Sequence, residues 1–190
     1  DGQTYWRPLT EARAEVQHMR HGVDAVLTGI GTVLADDPML TDRTGLARRR
    51  RLLRVVLDSE LRTPLDAKLV QSRNEDVLIF CKAPAMAERV DVLEALGVQV
   101  AGVGGEAGRL DLGAVLNELG QRKILSMLLE CGAALNGAFL TAGLVDKVVL
   151  FYAQRELGAG AVPFAEGTGS PYLLEQRLKQ VTRRKFGPDA

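Results

Sequence analysis

The sequence has few of the residues from which metal centres and disulfide frameworks are built. Its 190 residues include only two histidines and two cysteines, Cys81 and Cys131, which lie far apart. Because there is no Cys-x-x-Cys pair and no Cys/His cluster, the chain offers no ligand set for zinc. Two isolated thiols are typical of a reducing compartment, so we expect a cytoplasmic location.

An excess of one charge and a long apolar run are missing too. The 24 basic residues balance 24 acidic ones, whereas nucleic-acid-binding proteins usually carry a basic excess. The four arginines at 48–51 are interpreted as a solvated loop between two strands. No apolar run reaches the roughly 20 residues of a membrane-spanning helix. We therefore expect neither nucleic acid nor a membrane as a partner.

What the chain does contain is an alternation of strand and helix patterns, with 46% apolar residues. Short apolar runs predict strands over 24–30, 54–58, 77–81, 98–103, 124–129 and 147–152. Amphipathic stretches predict helices over 10–21, 86–96, 110–119 and 132–142. Continuous apolar strands separated by helices predict an α/β fold, with a mostly parallel sheet covered by helices on both faces. Ligands bind beyond the carboxyl ends of such strands, here after Ile30, Asp58 and Glu130.

The segment after the first predicted strand is the first candidate site. Its Gly29-x-Gly31 pattern lacks the third glycine of a dinucleotide-binding Rossmann motif, and Pro38 ends any helix within two turns. Two interpretations stay open. The glycines let a cofactor approach the backbone, while Thr32 and Asp36 supply a hydroxyl and a carboxylate, or the segment is an ordinary Asp-Asp-Pro turn.

The second candidate is the strand, turn and helix over 129–138. Small residues at the start of this helix leave N–H groups and the positive end of the dipole open to a pyrophosphate. Glu130 ends the strand and faces the same cleft, although a plain turn with a surface glutamate is the alternative. Arg20 and Arg43 are candidates for a substrate phosphate, because guanidinium groups bind phosphate bidentately. Each arginine can equally be structural.

Groups for acid–base or nucleophilic catalysis are scarce. His18 and His21 lie one turn apart near a helix end and are interpreted as surface residues. No serine or cysteine has a His-Asp setting, so covalent nucleophilic catalysis has no support. The residues alone therefore assign no catalytic group.

Read in order, these segments resemble the reductase domain of the bifunctional riboflavin-biosynthesis deaminase/reductase. The resemblance runs from about Trp6 to the end of the chain. The matching positions are Trp6, 12–13, 19–20, 24–27, 31–38, 40–41, Arg43, 54–59, 62–64, 128–132, 135–136, 143–147 and 157–161.

The resemblance implies a dihydrofolate-reductase-like fold, a mixed and mostly parallel sheet, in a single reductase domain over 1–190. It implies that NADPH delivers hydride to the ribose C1 of 5-amino-6-(5-phosphoribosylamino)uracil. The deaminase signature, His-x-Glu with Pro-Cys-x-x-Cys, is not in the sequence. We therefore expect zinc and deaminase activity only in an upstream domain of a longer chain, and, as in the family, a homodimer.

The resemblance also implies roles for individual residues. The positions implied for substrate are Thr4, Arg20, Leu40, Arg43 and Glu130, with the two arginines on the phosphate. The positions implied for the cofactor are Trp6, Thr32, Asp36, Ser59, Gly132, Ala133, Ala134, Leu135, Asn136, Gly137 and Ala138. Arg62 is predicted to bind the 2′-phosphate of NADPH. Asp36 and Glu130 are both candidates for the proton donor.

Several positions depart from the family's pattern. The family's first strand is reduced to Asp1 and Gly2, Thr4 stands where serine is usual, and Cys131 replaces a glycine or alanine. Three other functions are considered: a stand-alone reductase acting before deamination on the 2,5-diamino pyrimidinone, a dihydrofolate reductase, and a non-catalytic nucleotide-binding domain. Two arginines suit a phosphate better than a pterin, which disfavours the dihydrofolate reductase.

Overall fold

The computed structural model describes residues 10–72, 76–151, 158, 161–167 and 178–185. In these residues a parallel sheet has the order β4-β3-β2-β1-β5. Its strands are β1 (Ala25–Gly29), β2 (Leu53–Leu57), β3 (Val77–Lys82), β4 (Gln99–Val103) and β5 (Met127–Leu129). The helices are α1 (Thr10–His21), α2 (Ile30–Asp36), α3 (Lys68–Gln71), α4 (Ala87–Ala95), α5 (Leu112–Gln121) and α6 (Ala133–Thr141). No helix in these ranges is long and apolar enough to cross a membrane.

Helices cover both faces of the sheet, because the central strands are apolar on both sides. On one face Val56 and Ile79 pack with residues of α2, α3 and α4, which are Ile30, Val33, Leu69, Val70 and Leu93. On the other face Val55 and Phe80 pack with residues of α5 and α6, which are Val115, Leu119 and Phe139. The predicted α/β fold class is confirmed, and every strand pair described here is parallel.

The turn after β1 is a two-turn helix. Helix α2 ends at Asp36, and its C-cap Asp37 adopts the left-handed conformation with φ of 43° directly before Pro38. The proline therefore ends the helix where the sequence predicted. The sequence pattern argued against a Rossmann motif here, and the short helix agrees with that. Thr32 and Asp36 lie on α2.

The strand predicted over 147–152 is wrong for its described part, since residues 147–151 form no strand. Tyr152 lies outside the described residues. An apolar run becomes a strand only where a neighbouring strand takes its hydrogen bonds, and β5 is only three residues long. Residues 147–149 line a cavity together with β5 instead of pairing with it.

The solvated loop predicted at 48–51 is wrong for Arg48. Its guanidinium donates to the carbonyl oxygens of Arg20 and His21, each at 2.9 Å, and of Val23 at 2.5 Å. The last carbonyls of a helix have no partner within it, so a nearby guanidinium satisfies them. Arg48 thus closes the end of α1, a role that a charge pattern alone does not reveal.

Candidate active site

A cavity of about 820 Å³ joins the two segments that the sequence indicated separately. Thr32 and Asp36 of α2 line it together with Glu130, Gly132 and Asn136. They meet because α2 follows β1, α6 follows β5, and the two strands pair in parallel from Ala25↔Met127 to Leu27↔Leu129. The carboxyl ends of these neighbouring strands therefore open into one cleft.

The N-terminus of α6 presents backbone donors to open space. Gly132 precedes the helix in an extended conformation, and no side chain caps it. A Cβ added to Gly132 would meet nothing within 4 Å, and Ala134 is exposed. The N–H of Asn136, which bonds to the carbonyl of Gly132 at 3.1 Å, is the first to join the helical ladder. The N–H groups before it, at the positive end of the helix dipole, suit an anion such as a pyrophosphate.

Two residues further along α6 have packing roles. A Cβ on Gly137 would lie 2.2 Å from the carbonyl oxygen of Glu166, so only glycine lets that segment reach the helix. The side-chain amide of Asn136 donates to the carbonyls of Cys131 at 3.3 Å and Phe164 at 3.0 Å. The cofactor roles expected of Asn136 and Gly137 stay predictions, and the structure adds that both residues hold residues 164–167 against α6.

Leu135 and Ala138 are half-buried and Ala133 is buried. Leu135 packs with the core on the α5 and α6 side of the sheet. Because these side chains are partly or fully covered, contacts from these residues to a ligand would come mainly from the backbone. Their cofactor roles remain predictions.

Cys131, at the entrance to α6, is not a nucleophile. Its Sγ donates to Oδ1 of Asn136 at 3.1 Å. Burial raises the pKa of Cys131 to about 12. The thiol therefore stays protonated at neutral pH, and only a thiolate is strongly nucleophilic.

Two predicted substrate residues, Arg20 and Glu130, form a bidentate ion pair. Nε and one terminal nitrogen of Arg20 donate to the two carboxylate oxygens of Glu130 at 2.7 and 2.6 Å. The other terminal nitrogen donates to the carbonyl of Thr41 at 3.0 Å. The side chains are 13% and 25% exposed. Arg20 is therefore already charge-balanced and held in one orientation, and Glu130 accepts with both oxygens.

Arg43, the other predicted phosphate ligand, keeps its charge available. Its side chain is exposed, and Nε donates to Oγ1 of Thr41 at 3.3 Å. Its backbone N–H donates to Oε1 of Gln17 at 2.8 Å. No ion pair from Arg43 to another described residue is present. Of the two arginines, Arg43 has the guanidinium better placed to receive an anion.

Leu40, a predicted substrate residue, is buried rather than at the surface. Its side chain is 3% exposed and packs in a small cluster with Val26 and Leu52. Its backbone has a φ of 53°. A substrate would therefore meet the backbone of Leu40 rather than its side chain, and the predicted role remains a prediction.

Ser59 and Arg62 lie on the turn after β2 and do not line the cavity. Ser59 is half-buried, and its carbonyl accepts the N–H of Lys82 at 3.1 Å. Arg62 is 54% exposed and lies 3.5 Å from the carboxylate of Glu60. The turn therefore presents one exposed arginine, at a different strand end from the cavity.

A buried carboxylate and an arginine from α4 hold this turn. Oδ2 of Asp58 accepts from the N–H and the hydroxyl of Thr63, both at 2.7 Å. Arg89 donates to the carbonyls of Leu61 at 3.0 Å and Thr63 at 2.5 Å. The sequence predicted Asp58 only as the end of a strand and gave no signal for Arg89. Thr4 and Trp6, the remaining predicted site residues, lie outside the described residues.

Comparison with known proteins gives consistent matches along the whole chain. The family described as RibD C-terminal domain matches residues 1–190. The riboflavin biosynthesis protein RibD of Actinobacillus pleuropneumoniae is 37% identical over 178 residues, which are 94% of this chain and 47% of that protein. The 2,5-diamino-6-ribosylamino-4(3H)-pyrimidinone 5′-phosphate reductase of Archaeoglobus fulgidus is 31% identical over 176 residues, which are 88% of this chain and 78% of that protein. The chain thus spans about half the length of the RibD relative.

Solved structures agree with the fold. The RibD structure from Acinetobacter baumannii matches with a TM-score of 0.61 at 34% identity, over 77% of this chain and 39% of that chain. The Saccharomyces riboflavin biosynthesis reductase Rib7 matches with a TM-score of 0.54 at 21% identity, over 69% of this chain and 57% of that chain, and supports the fold alone. Their likeness confirms the dihydrofolate-reductase-like architecture that the resemblance implied.

Proposed function

The chain belongs to the RibD C-terminal domain family, and from this premise we propose that it uses NADPH to reduce 5-amino-6-(5-phosphoribosylamino)uracil to the ribitylamino product. The observation that carries the proposal is the shared cleft of the two segments. Thr32 and Asp36, expected at the cofactor, line the same cavity as Glu130, expected at the substrate. A hydride transfer requires the two ligands to meet in one such cleft.

The chain's own residues fit a nicotinamide dinucleotide. The uncapped first turn of α6, with open space at Gly132, would hold the pyrophosphate. Thr32, Asp36 and Ser59 would bind other parts of the cofactor, and Arg62 would bind the 2′-phosphate. When bound, the cofactor supplies a hydride to the ribose C1 of the open imine form of the substrate.

On the substrate side, we assign different roles to the two arginines. Arg43 would bind the phosphate with its exposed guanidinium, while Arg20, held by Glu130, would orient the substrate. Both carboxylate oxygens of Glu130 accept hydrogen bonds from Arg20, so this carboxylate is engaged in the ion pair. Asp36 lines the cavity and has no hydrogen bond or ion pair to another described residue, so its carboxylate is the one left to contact a bound ligand.

The wider setting is also proposed. The RibD relative is about twice as long as the stretch that it shares with this chain, which supports a deaminase domain upstream in one polypeptide. We further propose a cytoplasmic homodimer. Reading the gene upstream of residue 1 for the zinc deaminase signature, and sedimentation of the purified protein, test these two points.

The direct test is NADPH oxidation by the purified protein with the phosphoribosylaminouracil. We expect turnover with this substrate and less with its 2,5-diamino pyrimidinone precursor and with dihydrofolate. A preference for the precursor would favour the stand-alone reductase, a function that the match to 78% of the Archaeoglobus protein also supports. Tight NADPH binding without turnover on either pyrimidine would leave the non-catalytic domain as the function.

A further inference from the structure

The loop that carries Arg43 is organised around the carboxylate of Asp42. The side chain of Asp42 is 7% exposed. Its Oδ1 accepts from the N–H of Thr44 at 2.9 Å and from the hydroxyl of Thr44 at 2.7 Å. Its Oδ2 lies 2.8 Å from Nδ1 of His21 and accepts from Arg48 at 3.0 Å. We call Asp42, His21, Thr44 and Arg48 the Asp42 hub.

The charge of Asp42 is maintained despite its burial. Burial by itself raises the pKa of Asp42, but hydrogen bonds from Thr44, His21 and Arg48 outweigh it and hold the pKa well below its usual range. The group is therefore a carboxylate at neutral pH, and it needs these donors to remain buried.

The hub connects the two arginines of the proposed substrate site. Arg20 directly precedes His21 in α1, and Arg43 directly follows Asp42 in the loop. Arg48 reinforces the connection, because it donates both to Asp42 and to the carbonyls of Arg20 and His21. The backbone on which each arginine stands is therefore fixed by one buried carboxylate and its partners.

We propose that Asp42 is a positioning residue, which holds the backbones of Arg20 and Arg43 in the mutual placement that the phosphorylated substrate requires, with its phosphate on Arg43. The proposal rests on the function proposed above, since only there does a phosphate enter. Asp42 itself touches no ligand in this proposal. A guanidinium displaced by about 1 Å loses much of its hold on a phosphate, so a fixed backbone matters even where the arginine side chain is exposed.

A matched control is available elsewhere in the chain. Asp24 is also a carboxylate that accepts backbone N–H groups, those of Leu125 at 2.9 Å and Ser126 at 3.1 Å. The hydrogen bond from Leu125 is the main cause that lowers the pKa of Asp24. Asp24 lies at the opposite, amino end of β1. Loss of its charge should affect stability without affecting phosphate binding.

The experiment compares Asp42→Asn with Asp24→Asn in two assays. For Asp42→Asn we expect the KM for the phosphorylated substrate and the Kd for ribose 5-phosphate, measured by calorimetry, each to rise about tenfold. We expect kcat and the KM for NADPH to change less than about twofold, and the KM for the dephosphorylated substrate to stay the same. Asp24→Asn should leave all of these constants unchanged.

The outcomes separate this inference from the proposed function. If the wild-type protein reduces no pyrimidine but Asp42→Asn still weakens ribose 5-phosphate binding, the proposed function fails and the positioning role stands. If Asp42→Asn lowers the melting temperature and leaves the KM and Kd unchanged, or if the wild-type protein does not bind ribose 5-phosphate, the positioning role is overturned.

A milder variant covers the case in which Asp42→Asn does not fold. Thr44→Val removes the hydroxyl donor to Asp42 and keeps the backbone N–H donor. We expect the Kd for ribose 5-phosphate to rise about threefold, in line with the loss of one hydrogen bond. An unchanged Kd in a folded Thr44→Val protein would overturn the proposal.

Discussion

Two turns of this molecule are each held by an aspartate carboxylate, but the two carboxylates have different hydrogen-bond partners. The Asp42 hub holds the loop that presents Arg43, and Asp58 holds the turn that presents Arg62. Asp42 is surrounded by charged or chargeable donors, His21 and Arg48, and is slightly exposed. Asp58 is fully buried, and its carboxylate accepts only from Thr63 and leaves Oδ1 without a partner in the described structure.

The difference shows how location determines the cost of a buried carboxylate. Near the surface, the donors to Asp42 can form hydrogen bonds to water instead if the carboxylate is lost. In the core, the N–H and hydroxyl of Thr63 have no such alternative, so Asp58 has to satisfy them. The turn that Asp58 holds should therefore be the more sensitive of the two to loss of its carboxylate.

The largest expected effect is the loss of stability in Asp58→Ala. We expect the free energy of unfolding to fall by about 3 kcal/mol, because two buried donors lose their acceptor. Urea denaturation measures this, and Thr63→Val, which removes one of the two hydrogen bonds, should cost about 1 kcal/mol. If Asp42→Ala proved as destabilising as Asp58→Ala, the contrast between the two turns would not hold.

The next effect is on catalysis through Arg43. For Arg43→Ala we expect kcat/KM for the phosphorylated substrate to fall about a hundredfold, since a charge-assisted contact to phosphate is lost. Steady-state assays measure it, and Arg43→Lys should recover part of the activity because the charge remains. Unchanged kinetics in Arg43→Ala would mean that the exposed arginine of this loop binds no substrate.

A smaller effect is expected at Arg62. Its ion pair with Glu60 is exposed and contributes little to stability. We expect Arg62→Ala to raise the KM for NADPH about tenfold and to leave the KM for NADH unchanged. Equal effects on both cofactors would show that Arg62 does not bind the 2′-phosphate.

The smallest effect is a dependence of stability on pH. The pKa of Asp42 is lowered in the folded protein from an ordinary value of 3.8. The carboxylate therefore adds stability above that value, and the contribution is lost as pH falls through the folded-state pKa. The difference in unfolding free energy between the wild type and Asp42→Asn should be constant above about pH 5 and shrink progressively as the pH falls below about 4. A difference that stays constant as the pH falls below about 4 would contradict the lowered pKa.

Much of the sheet could be predicted from the sequence, because β1 to β4 are short, mostly apolar runs ended by glycine or polar residues. The strand-end rule also predicted where the cleft lies. The run at 147–151 was predicted as a strand and is not one, since periodicity does not reveal whether a partner strand is available. Helices α2 and α3 are short, and the pattern did not predict them as helices.

Hydrogen bonds and ion pairs between side chains that are distant in sequence were harder to predict. Arg20 and Glu130 were each predicted at the substrate, but their mutual ion pair joins residues 110 positions apart. His21 was interpreted as a surface residue, and the structure places it half-buried against Asp42. Contacts of this kind depend on tertiary placement, which local sequence patterns do not encode.

The parallel pairing of β1 with β5 has a consequence for how the protein folds. Strand β5 follows β1 only after β2, β3 and β4, so its docking closes the longest loop in the described sheet. Long-range parallel pairings form slowly, because the entropy of loop closure is lost before the contacts are gained. Glu130 reaches Arg20 only after that step. The substrate pocket should therefore appear late in refolding, after the β2–β3–β4 half of the sheet is already protected from amide hydrogen exchange.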